Sequence, residues 1–206
     1  MNKKKLLTLI GCLALVGLIG VGATLAYMTD NDSALNTITM GHVDIDLKEP
    51  NYAPGPDGGE ITNIKPGANI PKDPTITVAQ GSEDTYIRAK LEVSAEGLDA
   101  AHIEELIRNI DIDTTQWKLS GGYYYYIGTI ASQKAGVLKE GQSVKLFENV
   151  KIPAAWGNEV ADKTIKINVV AEAIQADNFE PTTLADGNYG WYDENDAGIT
   201  AETYNK

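Results

Sequence analysis

The chain has 206 residues, with 17 Lys and Arg against 29 Asp and Glu, for a formal net charge of −12. So acidic a chain is a poor ligand for nucleic acid or for an anionic membrane surface. Its length allows one domain with a sizeable core, and a single cysteine, Cys12, excludes an intramolecular disulfide framework.

The first element is apolar. Lys3, Lys4 and Lys5 form a positive n-region, and Leu6 to Ala26 then carries no charge over 21 residues. That is enough to span a bilayer, for which about 20 apolar residues suffice, and longer than the roughly 7 to 15 of an ordinary secretory signal. Gly17, Gly20 and Gly22 loosen the helix just before Thr24-Leu25-Ala26, whose small residues fit the −3 and −1 subsites of a signal peptidase. Cleavage between Ala26 and Tyr27 is therefore expected, with a retained N-terminal anchor as the alternative. Leu9-Ile10-Gly11-Cys12 also matches a lipobox, but the apolar run continues well past Cys12, which reads better as a small apolar residue inside the signal. Removal of residues 1–26 takes three lysines and no acids, moving the net charge from −12 to near −15 and leaving no cysteine. Such a chain holds its fold by core packing alone.

From Tyr27 onward the dominant period is two. Residues 27–48 read as an N-terminal arm and a first strand, in which Val43, Ile45 and Leu47 alternate with Asp44, Asp46 and Lys48. Ile38 and Met40 sit in the opposite phase, so Gly41 marks a bulge or bend. Residues 50–59, "PNYAPGPDGG", are a loop by their Pro and Gly content, and the Pro66-Gly67 turn leads into a strand at Thr75–Val78. In "TYIRAKLEVS" Ile87, Ala89, Leu91 and Val93 face one way and Arg88, Lys90 and Glu92 the other.

One stretch changes period. Behind a plausible N-cap at Asp99, Ile103, Leu106, Ile107 and Ile110 recur at helical spacing, which predicts a short amphipathic helix across a sandwich edge. "QWKLS", "GYYYYIGTI", "SVKLFENVKIP" and "TIKINVVAEAIQA" then follow as strands bounded by turn residues. About eight strands with one helical crossover predict an all-β fold, a jelly-roll-like β-sandwich preceded by the N-terminal signal helix. The sandwich is assigned to residues 49–180. The C-terminal tail is assigned to residues 181–206, and its acidic, Gly-rich stretch "LADGNYGWYDENDAGITAETYNK" is expected to be loosely ordered.

The chemistry is sparse. The two histidines, His42 and His102, are sixty residues apart, and "AHIEEL" supplies no second His one turn beyond the first. A zinc hydrolase draws on two or three His with a carboxylate, often as H-E-x-x-H. His102 therefore reads as a solvent-facing helix residue and His42 as a strand residue. There is no G-x-S-x-G elbow. No catalytic residue, metal site or cofactor is expected. "DNDS" at 30–33 and "DENDAG" at 193–198 superficially resemble calcium loops but lack the EF-hand spacing with its distal Glu, so they read as flexible acidic loops, with weak Ca²⁺ binding as the alternative. Tyr123 to Tyr126 could present a carbohydrate-stacking or assembly face; the alternative puts two tyrosines in the core and two over an adjacent loop.

The N-terminal block "KKKLLTLIGCLALVGLIGVGATLAYMTDNDSALNTITMGHVDIDL" resembles export signals cut by the SipW-type, ER-like signal peptidase of Gram-positive bacteria. "NIKPGANIPKDPTITVAQGSEDTYIRAKLEV", "VKIPAAWGN" and "VVAEAIQADNF" are similar to segments of the TasA/camelysin family, over roughly residues 3–180. This resemblance implies a secreted or cell-surface protein, exported with the help of that peptidase, with co-exported homologues as possible partners and the membrane touched only through the signal. Its two branches imply different functions. One forms biofilm-type extracellular matrix fibres from jelly-roll subunits; the other, camelysin, is described as a metalloendopeptidase. The absence of a histidine constellation favours the structural branch, with a surface binding or adhesion module as a further alternative. In the fibre reading, cleavage frees an arm holding Tyr27, Met28, Leu35, Ile38 and Met40, which completes the sheet edge of another copy by donor-strand exchange, a homopolymer contact.

Overall fold

The computed structural model describes residues 42–52, 65–157, 160, 163–177, 179–192, 196–199 and 202–205. The expected signal helix at 1–26, the arm up to Gly41 and most of the loop expected at 50–59 lie outside these residues. In chain order the strands are β1 (Ile45–Lys48), β2 (Asn69–Pro71), β3 (Thr75–Val78), β4 (Thr85–Ala95), β5 (Trp117–Ser120), β6 (Tyr123–Tyr126), β7 (Val137–Leu138), β8 (Ser143–Lys145), β9 (Asn149–Lys151), β10 (Ile165–Gln175), β11 (Thr182–Thr183), β12 (Tyr189–Gly190) and β13 (Glu202–Asn205). One helix, α1 (Ala100–Arg108), interrupts them between β4 and β5. Strand pairing among them is antiparallel throughout, so the described residues are mostly β with one helix among them.

The central pair is β4 with β10, in register over eleven residues from Thr85↔Gln175 to Ala95↔Ile165. Both strands are rich in β-branched and other apolar residues and contain no Gly or Pro to break them. β6 and then β5 extend this sheet on the β4 side, β13 adds to β10, and β7 also pairs β4. A second sheet has the order β1-β3-β8, while β2 with β9 and β11 with β12 form two small ribbons.

Period two decides what is buried. Ile45 and Leu47 of β1 are buried between exposed Asp46 and Lys48. Together with Val43, Ile76, Val78 and Val144 they form one apolar cluster with Ile87, Ala89, Val169, Ala171 and Ala173 of the long sheet and Leu106 of α1. Each large aliphatic side chain so buried contributes about 1.5–3 kcal/mol. Trp117 links the two sheets, its indole N–H donating to the Lys145 carbonyl at 2.9 Å. β5 and β6 meet through Gly121-Gly122, whose φ values of 57° and 83° suit a primed two-residue hairpin turn, a conformation that glycine adopts without strain.

Helix α1 starts at the expected cap: Asp99 Oδ1 accepts the His102 backbone N–H at 3.0 Å, satisfying one orphan donor of the first turn. Polar groups buried near β1 are paired. Asp73 accepts the Asn51 backbone and side-chain N–H groups at 2.8 and 2.7 Å, and Lys72 reaches Glu49 at 2.5 Å and lies over the Tyr52 ring at 4.7 Å.

Three local expectations change. "GYYYYIGTI" stops being a strand at Tyr126. "SVKLFENVKIP" splits into β8 and β9, because consecutive Leu146 and Phe147 are both buried and a strand cannot point neighbours the same way. The tail expected to be loosely ordered forms β11 and β12 and buries Trp191 to 1% exposure.

Candidate functional site

The outer face of the long sheet carries a charged and aromatic cluster. The register places Glu172, Arg88 and Tyr125 side by side on β10, β4 and β6. Arg88 Nε and Nη2 both donate to Glu172 Oε2, at 2.6 and 2.5 Å, and Nη1 donates to the Tyr125 hydroxyl at 3.3 Å. The guanidinium lies 4.1 Å from the Tyr123 ring centroid and 4.5 Å from that of Trp191. Tyr125 in turn meets Tyr189 and Trp191 edge-on at 5.3 and 5.8 Å.

Local sequence explains the cover. Gly190 lets the C-terminal segment settle closely, since a Cβ there would stand 3.0 Å from the Tyr125 hydroxyl and from the Tyr192 ring. Trp191 follows at once and closes over Arg88. Burial pulls the Arg88 pKa down, but its hydrogen bonds to Tyr125 and Glu172 and the Glu172 charge outweigh this and leave it above the ordinary arginine value. Burial also pushes the Tyr125 and Tyr189 hydroxyls up. A cation paired with Glu172 and Tyr125 and stacked under a tryptophan has no proton to exchange near neutral pH. Its chemistry is that of a latch on the C-terminal segment.

This arrangement answers the tyrosine run. Tyr126 enters the main core with Tyr124 packed against it, while Tyr123 and Tyr125 point to the other face beneath the C-terminal segment. None of the four is exposed. His102 differs from expectation: its ring is half-buried, edge-on to Trp156 at 5.4 Å, with Nδ1 2.7 Å from Asp99. Trp156 itself donates to Glu105 at 2.8 Å, tying α1 to the loop after β9. The bonds to His102 hold the Asp99 carboxyl below its usual value. His42 is exposed and lies just ahead of β1; its carbonyl accepts the Glu83 N–H.

Of the residues singled out from sequence, Ala26, Tyr27, Met28, Leu35, Ile38 and Met40 lie outside the described residues, as do the acidic stretch 30–33 and residues 193–195. What the structure describes is the set of edges such an arm could meet: β5 and β13 end the long sheet, and β1 and β8 end the short one. Leu119 on β5 is the exposed large hydrophobic residue among those described, at 59%. No group of three or more His, Cys, Asp and Glu gathers as a metal cluster among the described residues, and no described helix is long and apolar enough to cross a membrane.

Sequence reasoning missed the Arg88–Glu172–Trp191 cluster. A signal was present: the outward positions of β4 and β10 include Tyr86 and Ile174 beside Arg88 and Glu172, too apolar for a solvated face. Comparison with known proteins found no matching family model, no matching curated protein and no matching solved structure.

Proposed function

We propose that the chain is an exported structural subunit of extracellular matrix fibres, a jelly-roll-type sandwich that polymerises by donating its arm, residues 27–40, to a sheet edge of another copy. The observation that supports this reading is the state of the sheets. They are antiparallel layers that end in strands of three or four residues, β1, β5, β8 and β13, with no further described strand beyond them. Unpaired edge N–H and C=O groups are the template on which strand addition works.

In this reading a SipW-type peptidase cuts between Ala26 and Tyr27 and so releases the arm from the membrane. Main-chain hydrogen bonds give affinity, and Leu35, Ile38 and Met40 supply the apolar side chains. Donation is head-to-tail, so repetition builds an open filament instead of a closed dimer. Co-exported homologues are candidate partners alongside other copies. The test is negative-stain microscopy of the chain beginning at Tyr27, concentrated at neutral and at acidic pH. Filaments are expected, and deletion of residues 27–40 is expected to leave a folded monomer. A monodisperse monomer under every condition refutes the proposal, as do filaments from the deletion variant.

A further inference from the structure

We infer that the edge of β10, Ile165–Gln175, is the surface that accepts the arm of a second copy, and that β13 is the strand that arm displaces. The identity of the occupant rests on the fibre reading; the choice of edge rests on the sheet itself. β4 pairs all eleven residues of β10 on one side, which anchors that strand along its whole length. On the other side β13 pairs only Val170–Ala173. Ile165–Val169, Ile174 and Gln175 thus face no strand on that side among the described residues.

The apolar side chains report the same gap. On the core face of β10, Val169, Ala171 and Ala173 are buried, whereas Ile165 and Ile167 are only half-buried. A strand laid along β10 would extend the ladder and place alternate side chains beside this half-open row. Ile38 and Met40 of the arm share one face of an extended chain and fit that spacing.

The other edges are less suited to fourteen residues. β8 has three residues and β5 four, and Lys118 on β5 is held over the Tyr189 ring at 4.4 Å. β1 is short and continues directly from its own chain's arm. β13 also lies against β1. It is a short strand covering four residues of a long edge, and short edge strands are one way proteins blunt edges against unwanted pairing. A longer ladder from residues 27–40 replaces it without disturbing β4–β10.

Hydrogen exchange read by mass spectrometry tests this on the chain beginning at Tyr27, which keeps the whole described core because that core starts at Val43. The probe is a synthetic peptide of residues 27–40, with a scrambled peptide as control. The genuine peptide should slow exchange of the 165–175 backbone by about tenfold or more, leaving Trp117–Ser120 unchanged. Thr203→Pro and Tyr204→Pro are the variants. Successive strand residues aim their N–H groups to opposite sides, so one of the two removes a donor to β10. That one should bind the peptide at least about threefold more tightly. Protection at β5 or β8 instead, no protection anywhere, equal binding by both variants, or a 165–175 segment already shielded in dilute protein by its own arm would each overturn the inference. Microscopy separates the two readings: filaments with protection elsewhere sink the edge assignment alone, and peptide protection at 165–175 without filaments sinks the fibre reading alone.

Discussion

Truncating Trp191 to alanine should destabilise the whole chain, because the C-terminal segment is packed as part of the core. The indole is 1% exposed and is the largest fully buried side chain described. Its loss removes a ring that lies 4.5 Å from the Arg88 guanidinium and 5.8 Å from the Tyr125 ring. Burial of this size costs about 3–5 kcal/mol on truncation, of which about 1 kcal/mol is cation–π attraction. Domains hold only about 5–15 kcal/mol in total, so the effect is large. At about 2–4 °C per kcal/mol for a chain of this length, Tm should fall by roughly 6–20 °C. Urea and thermal unfolding followed by far-UV circular dichroism measure this, and Trp191→Phe should recover about half. Pairing Trp191→Ala with Arg88→Met in a double-mutant cycle should give a coupling near 1 kcal/mol. A loss below about 1 kcal/mol with an unchanged m-value, the range of an ordinary surface substitution, would refute the reasoning and return the segment to a loosely attached tail.

Asp111 accepts backbone N–H groups of Glu148 and Asn149, each at 2.8 Å, and the Asn149 amide at 3.0 Å. Burial raises its pKa, but these bonds outweigh that and hold it below the ordinary value. A depressed folded pKa stabilises above the unfolded value, about 3.9, and that stability is lost as pH falls through the lower folded value. Asp111→Asn should therefore be less stable than the parent at neutral pH, with the gap closing below about pH 4 in a series of urea midpoints. Asp99→Ala removes the cap of α1 and should cost about 0.5–2 kcal/mol by the same measurement. Gly136 has a φ of 79°, and a Cβ there would lie 2.9 Å from the Tyr126 carbonyl oxygen; Gly136→Ala should cost about 1–3 kcal/mol. With a charge near −15 after removal of residues 1–26, light scattering of concentrated protein should rise on acidification or with divalent cations, and a flat trace from about pH 8 to pH 4 would contradict the assembly reading.

The strands that could be read in advance are runs of β-branched and apolar residues, free of Gly and Pro, with charged or polar residues set between them. Thr75–Val78, Thr85–Ala95 and Ile165–Gln175 belong here, and the Asp99 cap with Leu106 on its buried stripe was readable from its helical spacing. Where the structure departs, a second demand competes with period two. Leu146 and Phe147 both enter the core and break a strand, and the tyrosine run serves two different apolar clusters at once. Burial of Trp191 was hidden because its neighbours are acidic and Gly-rich, so local composition argued for solvent while a distant cation made the docking site. Strand order was beyond reach as well: nothing in the period of β10 tells that it lies between β4 and β13.

Arg88 and Glu172 stand 84 residues apart along the chain, and every residue of the β4–β10 ladder is separated on that scale. Closing such a loop costs about 4 kcal/mol of chain entropy before any contact repays it, so formation of this ladder is the natural slow step of folding. A polypeptide emerging from its N-terminus has β1, β3 and β4 ready long before β10 exists. Until then β6 and β7 can cover one side of β4 but its β10 side stays bare, and the order of synthesis, more than the finished architecture, determines how long that side is exposed to pairing with the wrong neighbour.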